Sequence, residues 1–448
     1  MTELLHWVFK IVLILGITFS IVFIVYSIIE NEKYAVKKNI PILLILAVLL
    51  VISFVISIPN IFQFLFVAFF LTVVFLVVLP FGNFEIQYKI PKNKFDERDV
   101  MFSRINLKEG SKEFNSYYRV RPKNKIADDL FRKEPGLLTP GSKFYSKYIF
   151  NAADATFSTV DLLQPLVEQK AKQATKEKFD PKDISTFLKK WAIKLGAKSV
   201  GFTLLQPHHI YSHVGRGADY GKDVKLDHKF AIAFTVEMDH DFINCAPKGP
   251  VIMESAQQYL NAGNIAVQLT QFIRNMGFEA RAHIDANYRI ICPVVAQDAG
   301  LGTIGRMGLL MTPKLGPRVR IAVVTTNLKL NVNTKPHDST VIQFCESCKK
   351  CASNCPSQSI SFNSAKNNKE WRRWRINHEK CFTYWSKIGT DCGKCMAVCP
   401  YSHPDNFLHN LVRWMIRQNS FNRWLALKLD DFFYGRKPAS KPVEKWML

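Results

Sequence analysis

Charge is missing from long stretches of this sequence. Residues 11–29, between Lys10 and Glu30, carry none, and residues 39–84 form a run of 46 uncharged positions. Arginine does not occur before Arg98, so a twin-arginine export signal is not expected at the amino terminus. Cysteine is scarce, ten in 448 residues, far too few for a disulfide scaffold. Acidic residues are outnumbered, 37 against 60 Lys and Arg, which leaves +23. Internal repeats and low-complexity tracts are absent. These features exclude disordered, collagen-like and coiled-coil classes. Apolar residues crowd into the first 84 positions, which excludes a wholly soluble protein as well.

What is present begins with a membrane pattern. The 19 residues 11–29 suffice to cross a bilayer core as a helix. The longer run is too long for one span, and Pro59-Asn60 is a turn signal near its middle. The expected spans are therefore 11–29, 40–58 and 61–79, within an anchor over 1–86. A cleaved signal peptide fits less well, because Glu3 precedes the apolar run and no small-residue cleavage site follows. Lys33, Lys37 and Lys38 lie in the first loop; Lys89, Lys92, Lys94 and Arg98 follow the third span. Both groups fall on one side, and the other side has no Lys or Arg in residues 1–9 or the Pro59-Asn60 turn. The positive-inside rule then puts the large domain in the cytoplasm. His6 is the only histidine near the spans, so no b-type haem is expected within them.

Residues 87–150 are mixed and turn-rich and are expected to be a connecting extension. Asp180-Pro181 opens a helix whose Ile184, Phe187, Leu188, Trp191 and Leu195 share one face, and Gly196 stops it. A second amphipathic helix runs over 256–276. Strands are expected at 200–205, 230–236, 278–283 and 319–325. Strands alternating with helices predict an α/β domain around one sheet, over 151–335.

Eight of the ten cysteines fall between 345 and 399. Cys345, Cys348, Cys351 and Cys355-Pro356 form C-x2-C-x2-C-x3-C-P, the ferredoxin run for a [4Fe–4S] cluster. Three closely spaced thiolates wrap one cubane, and the fourth reaches another. Cys392, Cys395 and Cys399-Pro400 repeat the ending; Gly389 stands where a regular run has Cys, and Cys381 is the replacement. The expected sets are Cys345, Cys348, Cys351 and Cys399 for one cluster, and Cys355, Cys381, Cys392 and Cys395 for the other, in a module over 336–405. C-x2-C also permits zinc; two C-P endings favour iron–sulfur. Cys245 and Cys292 read as buried structural thiols.

Gly300-Leu301-Gly302-Thr303-Ile304-Gly305 is literally G-x-G-x-x-G. A dinucleotide site needs an acidic residue about 20 positions on, and residues 301–337 contain no Asp or Glu. The loop, with Arg306, is expected to offer N–H groups to another amide-rich or phosphate-bearing cofactor, or to be a tight structural turn.

The stretch from Ala299 through Arg306-Met307-Gly308-Leu309-Leu310, with Thr312-Pro313 and Gly316-Pro317-Arg318-Val319-Arg320, resembles the core of corrinoid reductive dehalogenases. So do Cys381-Phe382-Thr383-Tyr384-Trp385, the block from Gly389 to Pro400, and the tail Asp430-Asp431-Phe432-Phe433-Tyr434-Gly435-Arg436. Epoxyqueuosine reductases share the fold but match these blocks less closely. The resemblance implies an α+β, nitroreductase-like domain holding a base-off cobamide beside a two-cluster ferredoxin domain. Gly300, Leu301, Gly302, Gly305 and Arg306 become corrinoid-binding candidates. The chain has no D-x-H-x-x-G motif, in agreement with a cobalt without a protein ligand. The family's Tyr proton donor maps to Tyr259, Arg318 or Arg306 to the neighbouring cation, and Asp285 and Asn287 to groups near an organohalide substrate. Family members that respire organohalides commonly carry a twin-arginine leader and rely on a separate membrane subunit. This chain carries its own spans, which points to an anchored cytoplasmic enzyme fed by a ferredoxin, flavoprotein or quinol.

Lys366, Lys369, Trp371, Arg372, Arg373, Trp374, Arg375 and Lys380 form a basic aromatic stretch between the cluster motifs. Residues 406–448 read as a basic helical tail, with Phe407, Leu408, Leu411, Val412 and Met415 on one face beside Arg413, Arg417 and Arg423. This surface reads first as a solvated face without a partner; among partners, anionic lipid headgroups suit it better than nucleic acid. The rival functions are a tRNA-modifying reductase of the epoxyqueuosine type and an electron-transfer subunit without corrinoid.

Overall fold

The computed structural model describes residues 2–56, 58–83, 93–171, 178–332, 338–364, 366–368, 371–374 and 376–448. It divides into two units, Met1–Glu85 with Pro404–Pro438, and Ile86–His403 with Ala439–Leu448. The first contains three helices long and apolar enough to cross a membrane. These are α1 (Thr2–Ile29), α2 (Lys33–Val55) and α3 (Asn60–Val78). Pro59 caps α3, so the expected turn is where the sequence signalled it. The second helix starts at Lys33 rather than at 40 and carries Pro41 inside it.

Phe9, Leu13 and Val67 are buried where the three helices meet. Asn39 of α2 donates from Nδ2 to the Ser20 carbonyl of α1 at 2.8 Å. Such a bond satisfies a polar side chain where water is excluded. Outward positions stay apolar and open, Ile29 and Val55 being 74% and 78% exposed. A continuous apolar exterior of this kind demands a nonpolar solvent or a partner.

The second unit is built on a sheet of β1 (Ser199–Leu204), β2 (Phe230–Glu237), β3 (Ala280–His283) and β4 (Val319–Thr326), preceded by helix α4 (Pro181–Lys194). Spatial order is β1-β2-β4-β3, every pair antiparallel. Asp180 caps α4 by accepting from the Lys182 and Asp183 N–H groups. The second long helix, α5 (Pro250–Asn275), begins six residues earlier than its periodicity suggests, because Pro250 sits in its first turn, where a missing N–H is harmless. Period-2 alternation divides the strands. Ile232, Phe234 and Val324 face α4 and α5; Ala231, Ala233 and Val323 face α6 (Cys292–Asp298) on the other side. The sheet is thus covered on both faces. Gly201 of β1 has no room for a side chain, since a Cβ there would lie 2.2 Å from the Ala299 carbonyl oxygen.

Residues expected as a connecting extension fold into helices, among them Lys112–Val120, Pro122–Arg132 and Lys147–Asp161. The last supplies Ile149, Phe150 and Ala153 to a buried cluster with Ile252 and Ala256 of α5. The cluster module follows β4, with α7 (Thr340–Cys348) and α8 (His378–Ile388). Lys89, Lys92, Lys369 and Arg375 lie outside the described residues, as do the side chains of Lys366, Trp371, Arg372 and Arg373. The tail is not one element. Helices α9 (Phe407–Gln418) and α10 (Ser420–Tyr434) belong to the first unit. Residues 439–448 belong to the second, where Lys441 N–H donates to the Asn244 carbonyl at 2.9 Å and Met447 is buried.

Candidate active site and cluster cysteines

The two halves of the cysteine motif fold alike. Lys349, between Cys348 and Cys351, has φ +53°, and Gly393, at the same place between Cys392 and Cys395, has φ +61°. Left-handed backbone there turns each C-x2-C step tightly. A four-residue helix follows each, Lys350–Ser353 and Lys394–Ala397. None of the ten cysteines is in a disulfide. Burial pushes the Cys399 thiol well up, and the neighbouring Cys345, Cys348 and Cys351 push it further. Burial likewise raises Cys381 to about 12, with Cys392 and Cys355 adding to it. Cys395 is raised by burial and by Cys392, Cys381, Cys351 and Cys355. Thiols thus gather around the two expected sets. Thiolates so crowded and buried need a compensating cationic centre, so the donors fit iron–sulfur groups.

A second cluster of polar groups lies where α5, β4 and the turn after β3 converge. Ser255 and Tyr259 sit one turn apart on α5, hence on one face. The Arg320 guanidinium of β4 lies over the Tyr259 ring, Cζ 4.6 Å from its centroid. Arg320 Nη2 donates to Asp391 Oδ2 at 3.1 Å and to Ser255 Oγ. Ser255 donates to the same Asp391 oxygen at 2.5 Å. Asp391 immediately precedes Cys392. Burial pushes Tyr259 up to about 12, against the pull of Arg320. Burial also raises the Asp285 carboxyl, opposed by Arg216 and Arg320. Burial places Tyr288 well above the usual phenol range, with Asp285 and Tyr259 adding to it.

The expected residues distribute unevenly. Tyr259 and Asp285 meet in this cluster. Asn287 turns away, its Oδ1 accepting from Arg281 Nη2 at 2.6 Å. Arg306 and Arg318, expected beside Tyr259, are engaged elsewhere. Arg306 is fully buried and donates to the carbonyls of Cys345 (2.9 Å), Ser361 and Asn363 (both 2.7 Å), so it serves the cluster loop. Arg318 donates to Glu237 Oε1 at 2.9 Å and to the carbonyls of Ser402 and Met238. The cation on Tyr259 is Arg320, two residues along the same strand face, and sequence alternation alone could not choose between them. Asp391, Ser255 and Arg216 were also missed, since their partners lie far along the chain.

The glycine loop is packed against protein. Gly300 has φ +77°. A Cβ on Gly302 would lie 2.2 Å from the Met311 carbonyl oxygen, and one on Gly305 would lie 2.7 Å from the Met311 side chain. Leu301 is buried in the core with α6. These contacts fit the tight structural turn, the other reading of Gly300, Leu301, Gly302 and Gly305. Unpaired buried polar atoms lie elsewhere: Arg318 Nη2, Ser402 Oγ and Arg320 Nε have no partner among the described residues. Guanidinium and hydroxyl groups of this kind suit the amide groups that ring a corrin.

His208, His209 and Asp298 also converge, both His Nε2 atoms lying 3.2 and 2.8 Å from Asp298 Oδ2. His209 Nδ1 accepts the Gln206 N–H at 3.0 Å. That bond fixes the proton on Nε2, facing Asp298, and leaves His209 no lone pair for a metal there. Burial would raise Asp298, but hydrogen bonds from His208 and His209 hold it well below the usual carboxylate range. The trio is a buried hydrogen-bonded knot at the end of α6.

Residues 344–403 match the 4Fe-4S dicluster domain. Over 294 residues the chain is 33% identical to the tetrachloroethene reductive dehalogenase of Sulfurospirillum multivorans, a match covering 58% of either chain. The chain is similar to reductive dehalogenases. It shares their fold: the catabolic reductive dehalogenase NpRdhA superposes with a TM-score of 0.64 at 22% identity, over 80% of this chain and 49% of that one. A reductive dehalogenase structure described as suggesting a mechanism for B12-dependent dehalogenation gives 0.60 at 25% identity, over 69% and 46%. The chain spans about half the length of the relatives it matches. Those dehalogenases are oxidoreductases, and the similarity includes the iron–sulfur module.

Proposed function

We propose that this chain is a membrane-anchored reductive dehalogenase that replaces a halogen of an organohalide by hydrogen. The reaction consumes two electrons and one proton, breaks the carbon–halogen bond, forms a C–H bond and releases halide. The observation that carries the reading is the Arg320–Tyr259 pair, tied to Asp391, the residue next to Cys392. Cys345, Cys348, Cys351 and Cys399 would hold one [4Fe–4S] cluster and Cys355, Cys381, Cys392 and Cys395 the other, and such clusters would supply one-electron chemistry. A cobamide would be held in the nitroreductase-like domain against Arg318, Ser402 and Arg320, and would supply low-valent cobalt chemistry at the carbon–halogen bond.

The chain's own residues manage the proton. Tyr259 is protonated at neutral pH, and no partner for its hydroxyl is found among the described side chains. Arg320 stabilises the phenolate left when the proton moves, which brings a weak acid within catalytic reach. Asp391 and Ser255 fix the guanidinium in that position. Asp285, its carboxyl raised by burial against the pull of Arg216 and Arg320, lines the same cluster. Asn287, on the Arg281 side, positions the turn that presents Asp285.

The apolar helices α1, α2 and α3 anchor the chain as a multi-pass membrane protein, with the large unit in the cytoplasm and the bilayer as a permanent partner. Electrons come from a ferredoxin, flavoprotein or quinol. Purification without oxygen from a corrinoid-supplied host, followed by metal analysis and EPR, tests the cofactor set. Roughly eight iron per chain corresponds to two cubanes, accompanied by cobalt in a base-off Co(II) signal. Iron without cobalt, even after refolding with cobamide, would leave an electron-transfer protein.

A further inference from the structure

The carboxy-terminal helices α9 and α10 are part of the anchor. Asn419, between them, donates from Nδ2 to the carbonyls of Leu76 and Leu79, both at 2.7 Å, and Asn422 donates to the Val77 carbonyl at 2.8 Å. These are the last carbonyls of α3, which have no partner within their own helix. Arg423 donates to the Gly82 carbonyl and Asn83 Oδ1 at 2.7 and 2.8 Å. At the start of α9, His409 Nε2 lies 3.0 Å from the carboxylate of Glu30, just past the end of α1. Side chains distant in sequence thus fasten α9 and α10 to the ends of two apolar helices that finish on the same side.

Contacts at the far end of α10 set its level. Phe433 packs on Phe23 of α1, centroids 4.6 Å apart, and Lys38 Nζ lies 5.3 Å from the Phe432 ring. Phe23 is six residues before the end of α1, about 9 Å along a helix at 1.5 Å per residue. Meanwhile the outer faces are apolar. On α9, Phe407, Leu411, Trp414 and Met415 follow helical spacing, with Phe407 68% exposed and Trp414 open beside it. On α10, Trp424, Leu429 and Phe432 are exposed, with Lys428 beside them. Aromatic side chains at that level, with a lysine alongside, match the boundary between acyl chains and headgroups.

We infer that α9 and α10 lie in the plane of the cytoplasmic leaflet, with Phe407, Trp414, Trp424 and Phe432 inserted among phospholipid headgroups and upper acyl chains. This rests on the reading of α1–α3 as membrane spans, and it adds a lipid-binding surface 330 residues downstream of them. The occupant is lipid because the aromatic faces continue the apolar exterior of the helices to which they are bonded.

The test uses the full-length holoprotein in nanodiscs of phosphatidylcholine and phosphatidylglycerol doped with a diazirine phospholipid. After photolysis, peptide mass spectrometry maps the adducts. Adducts on peptides covering Phe407, Trp414 and Trp424, as well as on α1–α3, are expected. In a Trp414→Glu/Trp424→Glu double variant, adducts on α9 and α10 should be lost while those on α1–α3 persist. Labelled spans with unlabelled α9 and α10 would overturn the inference. Absence of adducts on α1–α3 would instead sink the anchor itself.

Discussion

The guanidinium of Arg320 lies over the ring of Tyr259, Cζ 4.6 Å from the centroid. A cation on an aromatic face stabilises the pair and, more strongly, any negative charge that develops on the phenol oxygen. Arg320→Leu should lower kcat/KM for dehalogenation by about 10²- to 10⁴-fold, the range for losing assistance to proton transfer. Arg320→Lys should recover part of it. Burial sets the Tyr259 pKa at about 12, so the wild-type rate should show no basic limb from this group between pH 7 and 10. pH–rate profiles of the wild type and both variants check this.

Asp391 binds both Arg320 and Ser255. Asp391→Asn keeps the shape but removes the charge that orients the guanidinium. The expected loss in turnover is about 10- to 100-fold, as for a mispositioned group, with iron content and cluster EPR signals unchanged. A parallel loss of iron would assign Asp391 to holding the cluster loop instead.

Arg306 is fully buried, donates to three carbonyls of the cluster module and stacks on Trp374 at 4.6 Å. Arg306→Met leaves those carbonyls unpaired, at about 1–3 kcal/mol each before relaxation. Iron per chain and thermal stability should both fall. If iron, stability and cluster signals were unchanged, the carbonyl network would not be holding the loop.

His228 and His283 share Thr325, at 2.8 and 2.9 Å from its hydroxyl oxygen. Burial lowers His228 to about 4 and His283 well below its usual value, with Arg281 reinforcing both. Both are therefore neutral in the fold while the unfolded chain protonates near 6.5. Stability should be full above pH 6.5 and fall as pH drops toward 4. Denaturant midpoints across that window, with and without His228→Asn, should show a shallower slope for the variant.

Much of this was readable beforehand because it is local. Uncharged runs located α1, α2 and α3, short apolar β-branched and aromatic runs located the four strands of the sheet, and the C-x2-C spacing marked the iron–sulfur module. The cation beside Tyr259 was not readable. Arg318 and Arg320 share a strand face, and what separates them is contact with Glu237 and Ser402 in one case and with Ser255 and Asp391 in the other. The glycines of the 300–305 loop left a cofactor loop and a tight turn both open, and packing of Gly302 and Gly305 against Met311 is a contact that spacing does not encode. The tail looked like one basic segment; its division follows from Asn419 and Asn422 capping α3, a pairing across about 340 positions that no periodicity encodes.

The most direct measurement is halide release from a panel of chlorinated organic compounds by protein carrying both iron and cobalt, wild type against Tyr259→Phe. Stoichiometric chloride from the wild type, and a loss of about 10²-fold or more in a variant with the same metal content and EPR signals, is expected. No chloride from fully loaded wild type would contradict the proposed function. Equal chloride from Tyr259→Phe would remove Tyr259, and with it the Arg320 pair, from the chemistry.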